Sequence, residues 1–430
     1  VSRACAVPAV RIRALNDAPL RPERRYVLAW MTSFRRLHSN FSLQRAVEHA
    51  QALERPLVVL EALRVGYPFA SDRLHTFVLQ GMAGHLAALE EGPVRYLPYV
   101  EPTPGAGRGL LEALASEACV VVGDDWPCLF IPAMQAAAAR RLDVRLEVVD
   151  ANGLYPLRAT TRTFTTAHSF RAHLQKDLPR HLPDAPLEAP LARLRLPPLR
   201  RLPTGLAARW PLAILAQLAD PAGLCARLPI DHGVPAVAWE GGEAAAGARL
   251  RRFVAGGLDG YLEGRNQPEE EGTSGLSPYL HFGHLSTHQV LAAVARREGW
   301  TPEAPGPPRG GAREGWWAMS PSAEAFLDQL VTWRELAFNA ASHRPAEFAG
   351  YEALPAWARA TLEAHAGDPR PHLASFEQLD LARTHDPLWN AAQRQLRREG
   401  WFHGYLRMLW GKKILEWSAS PRQALETMEA

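Results

Sequence analysis

Along the first 150 residues, short apolar runs alternate with stretches whose apolar residues recur at helical spacing. Residues 25–31, 56–63, 94–100, 118–124 and 144–150 read as strands, apolar throughout as parallel strands covered on both faces should be. Residues 43–53, 72–90 and 110–117 read as amphipathic helices between them. This alternation predicts a doubly wound parallel sheet. Ligands of such sheets bind at the carboxyl ends of the strands, here near Asp124, Asp125 or Asp150. The run Gly105-Ala106-Gly107-Arg108-Gly109 lacks dinucleotide-fingerprint spacing and reads as a turn before a helix.

Beyond residue 178 the pattern changes. Pro179, Pro183, Pro186, Pro190, Pro197, Pro198 and Pro203, interspersed with arginines, predict an extended crossing segment. From about residue 231 helical patterns dominate, and Ser277-Pro278, Ser320-Pro321 and Ser420-Pro421 look like helix starts. A Pro- and Gly-rich loop at 301–315 separates two of these helices. The expected fold class is α/β plus all-α. An N-terminal sheet domain (1–178) is followed by a connector (179–230) and a C-terminal helical domain (231–430). No internal repeat is evident.

Composition narrows the class without naming a function. A chain of 430 residues is long enough for two cored domains, and no apolar run reaches the roughly 20 residues that span a bilayer. The net charge of +3 does not by itself mark a nucleic-acid binder, so any such site must be a local basic surface. Cys5, Cys119, Cys128 and Cys225 have no metal or disulfide spacing, which suggests a cytoplasmic setting. No metal site and no Ser/His/Asp or paired-carboxylate constellation is expected.

The chemistry concentrates near the C-terminus. Asp386-Pro387 reads as an N-cap and first helical position, Trp389 falls in that helix's first turn, and Gly400 is a natural stop. Trp410 and Trp417 lie seven residues apart on the following helix, hence on one face. Indoles at this spacing are ordinarily core, yet two adjoining helices could hold all three in a row. A second motif, Thr273-Ser274-Gly275-Leu276-Ser277-Pro278-Tyr279-Leu280-His281-Phe282-Gly283, is a small-residue turn feeding a helix N-terminus, a setting suited to phosphate. Upstream, Tyr261 and Arg265 are one turn apart. In a third motif, Phe326–Leu336, Gln329 and Trp333 are four residues apart and neighbours on a helix face. A hydrogen-bonding group beside an indole suits a flat, polar-edged ligand.

These three motifs together resemble the photolyase/cryptochrome family, most of all the class II cyclobutane pyrimidine dimer photolyases. The resemblance implies a carbon–carbon lyase: reduced FAD, excited by light, splits pyrimidine dimers in UV-damaged DNA. It also implies an α/β domain, a long connector and a helical FAD-binding domain. Trp410, Trp389 and Trp417 match the indoles that relay electrons to the flavin. Tyr261, Thr273, Ser274, Gly275, Leu276, Ser277, Arg334, His403 and Arg407 match cofactor-binding positions. Gln329 and Trp333 match the catalytic pair against the lesion, and Arg265 and Met408 match DNA- and substrate-facing positions. A second, antenna chromophore of deazaflavin, folate or flavin type is possible in the α/β domain, and a monomer without membrane attachment is expected.

Two departures stand out. Gln329 replaces the family's glutamate; an amide donates and accepts but carries no carboxylate charge, so recognition is expected to survive with altered radical stabilisation. The chain also ends soon after Trp417, before the family's asparagine near flavin N5, the acidic partner of Arg407 and a second lesion-facing aromatic. A fragment and a naturally short protein both remain open. The alternatives are therefore a cryptochrome-like flavin photoreceptor and a truncated, inactive photolyase. An unrelated nucleotide-binding hydrolase has only the sheet in its favour.

Overall fold

A computed structural model describes residues 6–345 and 350–430. Cys5 falls outside them. The strands are β1 (Ile12–Ala14), β2 (Tyr26–Met31), β3 (Leu57–Leu63), β4 (Val94–Val100), β5 (Ala118–Asp124) and β6 (Leu146–Val149). They form one sheet in the order β1-β6-β5-β2-β3-β4. All neighbours are parallel except β1, which runs antiparallel to β6 at the edge.

The strand pattern places side chains alternately on two cores. Val27, Ala29 and Met31 of β2 face one core, packed with Phe41, Leu43 and Val47 of helix α1 (Phe41–Ala52). Tyr26, Leu28 and Trp30 face the other, with Leu110 and Leu114 of α3 (Leu110–Ala115) and Ala138 of α4 (Ile131–Ala139). Between α1 and α3 in the chain lies α2 (Asp72–Leu89), whose Val78, Leu79 and Met82 pack with Leu218, Leu224 and Cys225. The Pro-rich connector is thus no free linker. It contains short helical turns at Leu206–Arg209, Leu215–Leu218 and Pro221–Cys225, and its leucines and Trp210 cover both faces of the sheet.

The aspartates read as ligand-site candidates hold the sheet's own loops instead. At the switch between β2 and β5, Asp124 Oδ2 accepts the backbone N–H of Thr32, Ser33 and Phe34 at 2.7–2.9 Å. Asp125 pairs with Arg13 and Arg158, and Asp150 accepts the N–H of Asn152 and Leu157 and pairs with buried Arg11. The crevice is further closed by the segment around Gly283. Arg36 donates to the Gly283 carbonyl (3.1 Å), and Phe282 packs on Phe77 of α2. Gly283 has φ +76°, and a Cβ there would lie 2.0 Å from the Ser33 carbonyl oxygen. Gly283→Ala is accordingly expected to destabilise the protein by at least about 2 kcal/mol in urea unfolding.

Contacts divide the chain into two units: 1–259 with 274–343, and 260–273 with 344–430. In the second, Trp389, Trp417, Ile414, Leu379 and Ala424 form a small core. No helix among the described residues is long and apolar enough to cross a membrane.

Candidate functional site

In the second unit, the helix Pro387–Glu399 starts where the capping signal places it: Asp386 accepts the N–H of Leu388 and Trp389 at 2.8 and 3.0 Å. It stops at Gly400 in the left-handed conformation. The next helix, Gly404–Trp417, carries the other two indoles. Trp389 from the first helix sits between them. Its ring stacks on Trp410 at 4.5 Å and 29°, and meets Trp417 edge-on at 5.5 Å. The three expected relay residues therefore form one continuous row in the order Trp410, Trp389, Trp417. Sequence reading missed its flanks: Phe402 packs on Trp410 at 4.3 Å, and His385 meets Trp417 at 4.8 Å.

His403 is the N-cap of the Gly404–Trp417 helix, and its Nδ1 accepts the N–H of Tyr405 at 3.1 Å. That bond puts the neutral ring's proton on Nε2, which is buried and finds no partner. Trp410 Nε1 is a second buried donor without a partner. Trp410 and exposed Arg407 lie three residues apart on the helix that His403 caps, hence close to one face. An unmatched buried donor costs about 1–3 kcal/mol, which an acceptor beside His403 Nε2 or Trp410 Nε1 would relieve. The edge of a flavin ring, with its carbonyls and ring nitrogens, offers such acceptors. Met408 and Tyr405 are exposed on the same helix.

Tyr261 is buried on the short helix Tyr261–Gly264, and Arg265 closes that helix with its Nε buried and unpaired. Thr273 follows a pinch in the chain, where a Cβ on Gly272 would lie 2.3 Å from the Gly264 carbonyl.

The remaining predicted residues belong to the first unit. Ser274, Gly275, Leu276 and Ser277 form a turn held by Arg249, whose Nε donates to the Ser274 carbonyl at 2.8 Å. Gly275 has φ +66° with the Arg249 guanidinium against it. The helix beyond spans only Ser277–His281, and Leu276, not Ser277, is its N-cap, without a side-chain cap bond. The dipole available to a phosphate is correspondingly small.

Gln329 and Trp333 lie on a π-helical stretch, Asp328–Trp333, rather than on the α-helix their spacing suggested. The Arg334 N–H reaches back five residues to the Gln329 carbonyl. Trp333 is 46% exposed, while Gln329 is half-buried. Arg334 is turned to the sheet: it donates to the Asn152 carbonyl (2.6 Å) and Thr287 Oγ1 (3.3 Å) and lies over Phe338. Burial pulls its guanidinium down to about 10. Its neighbour Glu335 accepts the N–H of Leu154 and Tyr155, while burial pushes its carboxyl up to about 7.

Comparison with known proteins follows the same line. Over 421 residues, 98% of this chain and 84% of the relative, the sequence is 30% identical to the deoxyribodipyrimidine photo-lyase of Methanothermobacter thermautotrophicus. It is 34% identical to that of Oryza sativa over 93% of this chain and 74% of the relative. The chain belongs to the deoxyribodipyrimidine photo-lyase family. The deoxyribodipyrimidine photo-lyase of Potorous tridactylus is 30% identical over 97% of this chain and 72% of its own length. No protein-family model matches the chain. Among solved structures, a class III photolyase from Agrobacterium tumefaciens superposes with a TM-score of 0.61 at 20% identity, covering 94% of this chain and 79% of that one. A Synechocystis cryptochrome gives 0.55 at 17%, covering 94% and 81%. The photolyase relationship and the α/β-plus-helical fold expected from the motifs both hold.

Proposed function

We propose that this chain is a light-dependent DNA repair enzyme of the class II photolyase type, binding FAD and acting on cyclobutane pyrimidine dimers. The observation that carries this reading is the pair of buried, unpartnered donors His403 Nε2 and Trp410 Nε1, on a helix with exposed Arg407, joined to a continuous row of three indoles. The chemistry that FAD supplies when bound is light-driven, redox-neutral electron transfer to the cyclobutane ring. His403, Arg407 and Tyr261, all of the second unit, would hold it. The Arg407 cation favours a negatively charged ring at its side. The indole row serves a separate task, refilling an oxidised cofactor with electrons.

Trp333 offers its exposed ring to a base pair turned out of the DNA stack, and the Gln329 amide can bond a pyrimidine edge. Trp333→Ala is expected to weaken binding of dimer-containing DNA by about 1–3 kcal/mol, the worth of one aromatic–base stack, with an unchanged flavin spectrum. Titration of a fluorescent dimer oligonucleotide reads this directly.

The deciding experiment measures FAD-like absorbance of the purified chain and loss of dimers in the light but not in the dark. Protein without flavin sinks the proposal. Flavin without repair favours a cryptochrome-like photoreceptor, a second reading prompted by Gln329 in place of a carboxylate.

A further inference from the structure

Beside the exposed ring of Trp333 runs an open cleft of about 540 Å³, within the size range of ligand sites. It is lined by His168 and Arg171 of helix α5 (Ala167–Asp177) and by Arg309, Gly311 and Arg313 of the loop following residue 300. The loop is held in shape from below. Gln175 Oε1 accepts the N–H of Arg309 (3.0 Å) and Gly311 (2.9 Å), and its Nε2 donates to the Ala312 carbonyl (2.9 Å). Arg171 Nη1 donates to the Gly311 carbonyl at 3.1 Å, and its Nε to Asp328 Oδ1 at 2.7 Å. Gly310 and Gly311 both take positive φ, and a Cβ on Gly311 would lie 2.7 Å from the His168 carbonyl oxygen. This is a pre-shaped loop, not a slack one.

Its charge is one-sided. Three guanidiniums line the cleft and no carboxylate does; Asp328 is spent on Arg171, and Glu314 of the same loop does not line it. Arg171 is 7% exposed, yet its Nη2 is buried without a partner. Arg313 makes no hydrogen bond or ion pair among the described residues, and Arg309 spends only its Nη1, on the Gly315 carbonyl. Bidentate donors of this kind match the oxygens of a phosphate.

We infer that this cleft is a backbone-phosphate clamp for the lesion-bearing DNA strand, with the exposed Arg309 and Arg313 as its donors and the buried Arg171 guanidinium adding positive charge behind them. The inference rests on the repair reading above and adds positioning residues to it. A base pair resting on Trp333 carries flanking phosphates, and the clamp would hold one or two of them in register with that ring. Phosphate contacts fix where a strand lies without reading its sequence, so the clamp sets affinity and leaves chemistry alone.

The test uses the full chain and the variant R309A/R313A, whose two side chains are exposed and lie outside both cores. The variant should melt as the unmodified protein does and show the same absorbance spectrum. Its Kd for a dimer-containing duplex should rise roughly tenfold at 0.15 M salt, and the slope of log K against log[salt] should become shallower by about 2. The repair rate per bound lesion should not change. Replacing the phosphates that flank the dimer by neutral methylphosphonates should weaken the unmodified protein and leave the variant indifferent. Unchanged Kd and salt slope alongside normal repair would overturn the clamp and leave the repair reading standing. So would methylphosphonate penalties equal in both proteins. Failure of the unmodified chain to bind or repair dimer DNA would overturn both readings together.

Discussion

Trp410→Phe is expected to slow light-driven reduction of bound flavin at least about tenfold, while chemically reduced protein repairs dimers at the unmodified rate. The ring row explains the split. Trp389 stacks on Trp410 at 4.5 Å and touches Trp417 at 5.5 Å, so each transfer crosses one contact. A phenyl ring keeps the packing against Phe402 and Trp389 but is far harder to oxidise than an indole. Trp389→Phe should reproduce the effect with Trp410 in place, because it interrupts the row at its middle. If the three indoles served only as core, both variants would lose stability and photoreduce normally. Anaerobic illumination followed by absorbance separates the outcomes. Normal photoreduction, or loss of repair in the chemically reduced variant, would refute the relay.

The second large effect concerns stability and sits beside the sheet. Glu61, fully buried on β3, accepts from Arg35 (2.8 Å), His85 (2.8 Å) and the Tyr96 hydroxyl (2.6 Å). His85 also faces Glu243, which in turn accepts the backbone N–H of Leu37. Burial opposes every charge in this cluster, yet the partners win. His85 is lifted to about 9, and Glu61 and Glu243 are drawn down to about 2. Glu61→Ala leaves an arginine, a histidine and a phenol short of their shared acceptor. It should cost about 3–5 kcal/mol in urea unfolding.

The pH dependence follows from the directions of these shifts. The raised His85 contributes fully below 6.5 and loses its contribution as the pH climbs through about 9. The two lowered carboxylates contribute fully above 4.5 and lose theirs as the pH falls toward 2. Nearby His284 is depressed to about 3 by burial and by the charge on His85, so its share also fades below 6.5. Stability should therefore peak near pH 6.5 and flatten in Glu61→Ala. A destabilisation under about 1 kcal/mol with an unaltered profile would refute the cluster's role.

Much of this was readable in advance. Strands Val94–Val100 and Ala118–Asp124 coincide with their apolar runs, because central parallel strands need apolar residues on both faces. β1 escaped notice: one half-buried and two exposed residues at an antiparallel edge carry no period. Asp386, Ser320 and Ser420 cap the helices their sequence announces, since a cap bond spans only two or three residues. Ser277 does not: Leu276 is the N-cap of that short helix and makes no side-chain cap bond. The Tyr279–Gly283 words that signalled a cofactor loop also serve to seat the segment on the sheet. Phe77 of α2 takes both Tyr279 and Phe282.

By itself, then, the sequence determined the strand cores, the helix ends and the presence of three indoles at helical spacing, all of them matters of local period. Only the tertiary structure decided that Trp389 lies between Trp410 and Trp417, or that Gln329 and Trp333 ride a π-turn. It alone revealed that Asp124, Asp125 and Asp150 brace loops. The basic cleft is the clearest case, because Arg171 and Gly311 meet across 140 residues of chain. A contact made over such a distance leaves no trace in the spacing of either segment. It exists only once burial has brought both to the same place.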